Sequence, residues 1–409
     1  MSDPTIFISA GEASGEHYGA LLIEALKRRL AASGRSARFI GMGGLRMADA
    51  GLERIVRAED VAVMGITEVI RHLPRIYREF RKLSNAIRRG RPAVAVLIDF
   101  PDVHLRLARQ LHDLGIPVIY FVSPQLWAWK KHRMRLVQRF VDRMLVIFPF
   151  EEPFYREHGV PAEFVGHPLA GLPLPSISRA DFARLHGLSP NHAWIGLLPG
   201  SRAREIRYNL PEMLTAARLL DAQCGESDNL EFILPLAPTL NPAQRQMALD
   251  LLAAHAAGLP VRVCDDARAA LFHARASVVA SGTATVEAAL IGNPFVVVYR
   301  VSPLTYAIAQ RVVRVPHVAM VNLVAGRRIV PELIQHDFRA QNIVRHVAPL
   351  LPDGPQRQSM MQELAKVCDL LSGSPGAEGE ERGGAIDRVA VTVLRQLTLS
   401  SPVGGSVAL

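Results

Sequence analysis

Ser281, Gly282 and Thr283 follow a short, largely apolar run and lead directly into an alanine-rich segment. This order predicts a strand that turns into a helix at Ser-Gly-Thr, so that backbone N–H groups and the positive end of the helix dipole face an anion. Glu287 lies one helical turn beyond Thr283, where its carboxylate would accept hydrogen bonds from ribose hydroxyl groups. The segment is therefore a candidate nucleotide site. The alternative is that Ser281 and Thr283 only cap a helix and that Glu287 is an ordinary surface residue.

Asp99 and Arg202 also follow predicted strands. Asp99 ends the apolar run 94–98, and a carboxylate there points into a ligand cleft, where it can act as a general base toward a hydroxyl group. The alternative for Asp99 is a turn carboxylate that hydrogen-bonds to backbone. Asp102 is predicted to cap the helix that follows. Arg202 would stabilise a departing diphosphate by charge-assisted hydrogen bonds without a divalent metal, since the chain has no D-x-D motif and no His/Cys cluster.

Strand and helix patterns alternate along most of the chain, which predicts parallel sheets covered by helices. Ligands of such sheets bind beyond the carboxyl ends of the strands. The simplest α/β architecture is therefore two Rossmann-like domains that face each other across a cleft. The predicted strands are 5–9, 38–40, 94–98, 118–122 and 144–148 in the first half, and 194–198, 232–236, 261–264, 278–280 and 295–299 in the second.

Breaks in these patterns predict the domain boundaries. The segment 166–175 is rich in Gly and Pro and reads as a linker. We expect an N-terminal domain over 1–172 and a second domain over 173–345. We also expect C-terminal helices over 346–399, which pack on the N-terminal domain or on a partner, and a disordered tail over 400–409.

Composition restricts the classes of function. The 409 residues are 49% hydrophobic and carry a net charge of +9, which favours phosphorylated substrates or an anionic membrane surface. Aromatic residues are 6% and no nucleic-acid signature is present, so we expect no nucleic-acid partner. The N-terminus does not resemble a signal peptide and no apolar run reaches the length of a membrane span, so we expect a cytoplasmic protein.

One segment has an apolar stripe at helical spacing that is interleaved with arginines. An interfacial helix on an anionic bilayer has this pattern. An amphipathic helix that docks on its own core has it as well, and the residues alone leave both open. The stripe consists of Ile66, Val69, Ile70, Leu73 and Ile76.

Taken together, the motifs resemble those of the lipid-A-disaccharide synthases, the glycosyltransferases of lipopolysaccharide assembly. They occur in family order over about residues 5–335 and are specific as a set. The matching segments are 9–16, 41–44, 64–69, 98–102, 123–129, 165–169, 197–202, 280–287 and 322–326.

The resemblance implies a GT-B fold and an inverting transfer from UDP-2,3-diacylglucosamine to the 6-hydroxyl of 2,3-diacylglucosamine 1-phosphate, which yields a β-1,6-linked disaccharide phosphate and UDP. It implies no metal and no other cofactor. Asp99 takes the position of the general base, and Arg202 that of an essential arginine near the donor. The other substrate-binding residues it implies are Glu12, Ser14, Gln125, Ser281, Gly282, Thr283, Glu287 and Asn322.

The resemblance also implies that the Ile66–Ile76 stripe dips into the anionic cytoplasmic leaflet of the inner membrane, where both acylated substrates reside. It leaves a homodimer open. The competing interpretations are another GT-B UDP-sugar transferase, a non-hydrolysing UDP-sugar epimerase and a non-catalytic nucleotide-sugar sensor. The stripe and the Asp99 motif argue against the epimerase.

Overall fold

The structure is a computed structural model that describes residues 3–60, 66–224, 229–312, 315–373 and 383–399. Within these ranges it does not describe the side chains of Ala13, 66–76, Cys224, Leu304, 308–309 and Val312. The predicted stripe side chains Ile66, Val69, Ile70, Leu73 and Ile76, and the predicted tail 400–409, therefore lie outside the described residues.

The chain divides into two compact units. Unit 1 comprises residues 1–171 and 371–409, and unit 2 comprises residues 172–370. The change from one unit to the other near the C-terminus falls within a helix, Pro355–Ser372, so residues 346–370 belong to unit 2. The last helix, Ala385–Leu399, packs on the first helix of the chain, Ala13–Ala32, in unit 1.

Unit 1 is built on seven parallel strands in the order β3-β2-β1-β4-β5-β6-β7. The chain builds outward from β1 to β3 and then in the opposite direction from β4 to β7, so β1 and β4 lie side by side, with Ala10 opposite Ile98. This reversal is the topological switch point at which open α/β sheets bind ligands. The strands are β1 Thr5–Ala10, β2 Arg38–Gly43, β3 Leu52–Arg57, β4 Val94–Ile98, β5 Val118–Phe121, β6 Arg143–Val146 and β7 Ala162–Phe164.

Helices connect these strands and cover the sheet, as parallel connections require. In unit 1 they are α1 Ala13–Ala32, α2 Leu45–Asp49, α3 Ile66–Gly90, α4 Pro101–Asp113, α5 Met134–Phe140 and α6 Glu151–Glu157.

Unit 2 repeats the plan with six parallel strands in the order β10-β9-β8-β11-β12-β13. Its switch point lies between β8 and β11, where Leu198 is opposite Val279. The strands are β8 Ala193–Leu198, β9 Leu230–Pro235, β10 Val261–Cys264, β11 Ala276–Ala280, β12 Phe295–Tyr299 and β13 Glu332–Ile334. The helices are α7 Arg179–His186, α8 Ala203–Cys224, α9 Pro242–His255, α10 Ala267–His273, α11 Thr283–Ile291, α12 Pro303–Val312, α13 Met320–Ala325, α14 Ala340–Val347 and α15 Pro355–Ser372, and α16 Ala385–Leu399 follows in unit 1.

All ten predicted strands are present, with ends that differ by up to three residues, but β3, β7 and β13 were not predicted. The central strands β4 and β11 are buried along their whole length and read as continuous apolar runs. The missed strands are all at the edge of a sheet, and two of them have only three residues. β3 alternates between buried and exposed residues, so its apolar signal is weak. None of the described helices has the length and apolarity that a membrane span requires.

Gly41 lies where β2 passes closest to β1. A Cβ at this position would be 1.9 Å from the carbonyl O of Ile8, and its φ of +152° is rare for L side chains. We expect Gly41→Ala to lower the free energy of unfolding of unit 1 by more than about 3 kcal/mol, because the two central strands must separate.

The matched control for Gly41 is Gly34→Ala, which has a φ of +63° but no atom within 4 Å of the added Cβ. Gly34→Ala should lower the free energy of unfolding by only about 1–2 kcal/mol, because it adds a side chain to left-handed backbone without a clash. Urea unfolding of both variants measures the difference. Equal losses would contradict the close approach of β1 and β2.

Candidate functional site

Asp99 and Phe100 form an unusual turn at the end of β4, in the switch point of unit 1. Both have positive φ, +51° and +52°, in the left-handed region that non-glycine residues rarely adopt. Each of the two residues lowers the stability of the fold by about 1–3 kcal/mol, and backbone strain of this kind clusters at functional sites. The helix α4 begins directly after the turn, with Phe100 as its N-cap residue and Pro101 in its first turn.

Side chains from two other elements hold this turn through the main chain of Asp99. The carbonyl O of Asp99 accepts hydrogen bonds from His104 Nδ1 at 2.6 Å and from the Tyr120 hydroxyl at 2.7 Å. Its N–H donates to the carbonyl O of Phe121 at 3.0 Å. These three hydrogen bonds hold the turn through its main chain.

The protonation state of His104 follows from its partners. Because a carbonyl O only accepts, Nδ1 carries the proton, and Nε2 accepts from Ser9 Oγ at 2.8 Å. His104 is fully buried, and burial lowers its pKa to about 4, so the ring is neutral near pH 7. His104 therefore connects β1 to the Asp99 turn.

Glu12 and Ser14 lie at the N-terminus of α1, on the other side of the same switch point. Glu12 is exposed and is the N-cap residue of α1 without a side-chain capping bond, and Ser14 is half-buried. Gly11 permits the loop to approach the Asp99 turn, because a Cβ there would lie 2.4 Å from the Phe100 ring. The structure therefore brings Glu12, Ser14 and Asp99 to one edge of one sheet.

The segment 123–129 follows β5, which neighbours β4, and presents Gln125 to solvent. Buried Glu151 holds this segment: its Oε1 accepts from Ser123 Oγ at 2.7 Å and from Trp127 Nε1 at 3.0 Å. Burial raises the pKa of Glu151 to about 7, and the hydrogen bonds from Ser123 and Trp127 oppose the rise. The Trp127 ring packs edge-on against Phe150, so this indole belongs partly to the interior.

Asp102 does not cap α4, which corrects the prediction from the sequence. It lies within the first turn, after the N-cap residue Phe100, and its carboxylate contacts Arg133 and Lys130 instead. The correction follows from the left-handed Asp99–Phe100 turn, which starts the helix earlier than the apolar pattern indicates.

In unit 2, Arg202 lies in the loop after β8, with its side chain 64% exposed. Glu205 organises this loop: its Oε2 accepts from the N–H groups of Ser201 and Arg202 at 3.0 and 3.2 Å. The Arg202 guanidinium is 3.3 Å from Glu205 Oε1. The charges of Arg202 and Glu205 both act on Tyr299 at the end of β12, so the three residues lie close together.

Ser281, Gly282 and Thr283 lie at the end of β11, next to β8, and α11 begins at Thr283 as predicted. Gly282 and Thr283 are exposed, and the first N–H groups of a helix have no partner within it. Glu287 lies on the next turn and is half-buried. Burial raises its pKa, while the charge of Arg268 offsets part of the rise. Glu287 is therefore not an ordinary surface residue.

Asn322 is fully buried, and every hydrogen-bonding position of its side chain is used. Nδ2 donates to the carbonyl O of Val330 at 3.0 Å and to Glu332 at 2.8 Å, and Oδ1 accepts from Ile329 N and Val330 N. Glu332 also accepts from the N–H groups of residues 318 and 319. Because the Val318 carbonyl O accepts from Ser281 Oγ at 3.4 Å, Asn322 supports the loop beside the α11 N-terminus.

The residues that sequence analysis missed are Tyr120, Glu151, Lys130 and Arg133. Tyr120 and Glu151 act through partners that are distant in the sequence, and local patterns carry no signal for them. Lys130 and Arg133 belong to a basic run directly after the motif segment 123–129, a signal that was available. Among the described residues, no group of three or more His, Cys, Asp or Glu side chains is arranged to hold a metal ion.

Each unit thus has the Rossmann strand order with polar and charged residues at its switch point, and two such units in one chain define the GT-B class of folds. Solved structures share the fold. The UDP-GlcNAc 2-epimerase from Neisseria meningitidis bound to UDP-GlcNAc has a TM-score of 0.58 at 12% identity, over 96% of this chain and 100% of its own. The calicheamicin glycosyltransferase CalG4 has a TM-score of 0.57 at 18% identity, over 99% and 100%. At these identities the likeness shows the fold alone.

Sequence comparison identifies the family. A family model described as lipid-A-disaccharide synthetase matches residues 6–374. The lipid-A-disaccharide synthase of Acidobacterium capsulatum is 61% identical over 411 residues, covering 98% of this chain and 99% of its own. That of Koribacter versatilis is 49% identical over 391 residues, covering 95% and 97%. The chain therefore belongs to the lipid-A-disaccharide synthetase family of glycosyltransferases, and the resemblance inferred from its motifs is confirmed.

The buried neutral His104 makes a prediction about pH. The pKa of His104 is about 4 in the folded chain and about 6.5 in the unfolded chain. Between these values a falling pH protonates the unfolded chain first, so the free energy of unfolding decreases. We expect His104 to contribute a loss of up to about 1.4 kcal/mol per pH unit in that window. His167, with a pKa lowered to about 3 by burial, adds a similar loss. Urea unfolding between pH 7 and pH 4 measures the slope.

The variant His104→Asn should show a smaller slope than the unaltered chain. His132→Asn, which removes an exposed histidine, should leave the slope unchanged. If both variants kept the slope of the unaltered chain, His104 would not be held neutral by burial.

Proposed function

We propose that the protein transfers 2,3-diacylglucosamine from its UDP derivative to the 6-hydroxyl of 2,3-diacylglucosamine 1-phosphate, with inversion at the anomeric carbon. The products are the β-1,6-linked disaccharide 1-phosphate and UDP. The observation that carries this proposal is the family match over residues 6–374, which includes the switch points of both units.

Asp99 is the proposed general base. Its carboxylate takes the proton from the acceptor 6-hydroxyl as the oxygen attacks the anomeric carbon of the donor. The turn held by His104 and Tyr120 supports this role, because a base contributes most when its position is fixed before the reaction. Glu12, Ser14 and Gln125 are proposed to contact substrate from the same edge of the unit 1 sheet.

Unit 2 is proposed to bind the UDP part of the donor. The N–H groups of Gly282 and Thr283 face the diphosphate beside the Ser281 side chain, and Glu287 accepts hydrogen bonds from the ribose. Asn322 assists through the loop that it supports.

The leaving UDP carries a growing negative charge, which Arg202 and the N-terminus of α11 are proposed to stabilise. Arg202 is exposed and held near Glu205 by one contact of 3.3 Å, so it can turn toward a diphosphate at small cost. The N-terminal end of α11 adds a fixed positive dipole. We propose on this basis that the transfer requires no divalent metal.

We also propose that unit 1 contacts the anionic cytoplasmic face of the inner membrane through α3. The described part of α3 supports this: Tyr77 is 62% exposed, and a groove between α3 and α4 is rich in arginine. Such side chains attract anionic lipid and anchor helices at the interface. The arginines that line the groove are Arg81, Arg88, Arg106 and Arg109.

Replacing Asp99 tests the proposed base. We expect Asp99→Asn to lower turnover by about 10²–10⁴-fold, the usual contribution of a positioned base, and to leave UDP binding unchanged, since the UDP site belongs to unit 2. Steady-state kinetics and calorimetric titration with UDP measure the two effects. Ser178→Ala, which removes a helix cap of unit 2, is a control for a general loss of stability. Retained turnover in Asp99→Asn would remove Asp99 from the base role.

Serine substitutions in the stripe test the membrane contact. We expect a variant with four serines to bind phosphatidylglycerol vesicles roughly 1000-fold more weakly. Each apolar side chain that enters the lipid interface contributes roughly 1 kcal/mol to binding. The substitutions are Ile66→Ser, Val69→Ser, Ile70→Ser and Leu73→Ser. The thermal transition of the protein should persist. Vesicle sedimentation and calorimetry measure both quantities.

The matched control changes four exposed leucines outside α3 to serine, namely Leu45, Leu174, Leu185 and Leu370. It should leave vesicle binding unaltered. Loss of the thermal transition in the stripe variant would identify the stripe as part of the core instead.

A further inference from the structure

Two cations of unit 1 lie against the first turn of α4 and have no role in the function proposed above. The Arg133 guanidinium and the Lys130 ammonium both contact the Asp102 carboxylate, the latter at 3.7 Å. Asp102 is 66% exposed, whereas the side chains of Arg133 and Lys130 are only 19% and 29% exposed. The cations are therefore held in place rather than extended into solvent.

The surroundings of Lys130 show how it is held. Its backbone has a φ of +52°, and its carbonyl O accepts from Arg133 N at 2.9 Å. Its ammonium lies 4.1 Å from the centre of the Trp129 ring, a cation–π distance. A strained backbone and an exposed indole thus direct Lys130 toward Asp102. Trp129 is 41% exposed, so this arrangement is open to a ligand.

The surface around Lys130 and Arg133 has an excess of positive charge. Lys130 and Arg133 carry two positive charges, and the carboxylate of Asp102 that they contact carries one negative charge. The N-terminus of α4, a helix of 13 residues, contributes a further positive potential. A doubly charged phosphomonoester is the ligand class that this excess charge favours, because arginine and lysine both bind phosphate through charge-assisted hydrogen bonds.

We propose that Lys130 and Arg133 bind the 1-phosphate of the acceptor sugar and so direct its 6-hydroxyl toward Asp99. This inference rests on the proposed function. It assigns recognition of the acceptor phosphate to a pair of residues, here called the phosphate clamp.

The phosphate clamp lies close enough to Asp99 to bind the 1-phosphate of an acceptor sugar. Asp102, which both cations contact, is three residues from Asp99 on the same turn of chain. In a pyranose, C1 and the carbon that bears C6 are both bonded to the ring oxygen, so the phosphate and the reacting hydroxyl project from the same side of the ring perimeter. One sugar can therefore reach the clamp and the base together.

The test compares two acceptors, 2,3-diacylglucosamine 1-phosphate and the same sugar without phosphate, in neutral detergent micelles. We expect Lys130→Ala and Arg133→Ala each to raise the KM for the phosphorylated acceptor by about 10- to 100-fold, as for loss of a charge-assisted hydrogen bond. The kcat and the KM for the donor should change little. With the unphosphorylated acceptor the variants and the unaltered chain should be alike.

Three further variants make the result decisive. Arg133→Lys keeps the charge and should have an intermediate KM, and its thermal transition reports on folding. Lys131→Ala and Arg135→Ala remove the same charge from exposed positions of the same segment and should leave the KM unchanged.

The proposal is overturned if Lys130→Ala or Arg133→Ala keeps the KM of the unaltered chain for the phosphorylated acceptor. It is also overturned if KM rises equally for both acceptors, which would indicate a general surface effect, or if the control variants raise KM as much as the clamp variants. Failure of the unaltered chain to form any disaccharide would instead count against the proposed function.

Discussion

The geometry of unit 1 depends on one carbonyl group. The main-chain O of Asp99 accepts hydrogen bonds from His104 and Tyr120, and these bonds hold two successive left-handed residues at the end of β4. Without them the strain of about 1–3 kcal/mol per residue would favour a relaxed turn, and both the Asp99 side chain and the start of α4 would move. The bond from His104 requires a neutral ring with its proton on Nδ1, and burial together with Ser9 provides that state.

Sheet topology brings the remaining residues to this turn. In each unit the strand order reverses between the first and fourth strands, which opens a crevice at their carboxyl ends. In unit 1 the crevice is bordered by the loop after β1 and the Asp99 turn, and in unit 2 by the Arg202 loop and the N-terminus of α11. The two units differ in chemistry, since unit 1 presents a carboxylate on a rigid turn, and unit 2 presents a cation and backbone N–H groups. The proposed transfer from a nucleotide sugar to a hydroxyl group needs a base and groups that stabilise an anion, and a carboxylate, a cation and backbone N–H groups can supply them.

The sequence predicted the strand ends that carry Asp99, Arg202 and Ser281 because central parallel strands are continuous apolar runs that stop at a polar residue. It did not predict the edge strand β3, whose residues are partly exposed, and it assigned Asp102 to a cap that the left-handed turn rules out. The hydrogen bond between Ser9 and His104 joins residues 95 apart in the chain, so no local pattern reports it. The same holds for Glu151, whose burial is visible only once the strands are assembled.

The most direct test of the account is the reaction of the purified protein with UDP-2,3-diacylglucosamine and 2,3-diacylglucosamine 1-phosphate, in detergent and with EDTA present. UDP release and product mass are followed together. The account predicts UDP release that requires the acceptor, with a disaccharide phosphate formed in equal amount. UDP release without the acceptor, isomerisation of the donor, or dependence on a divalent metal would contradict it.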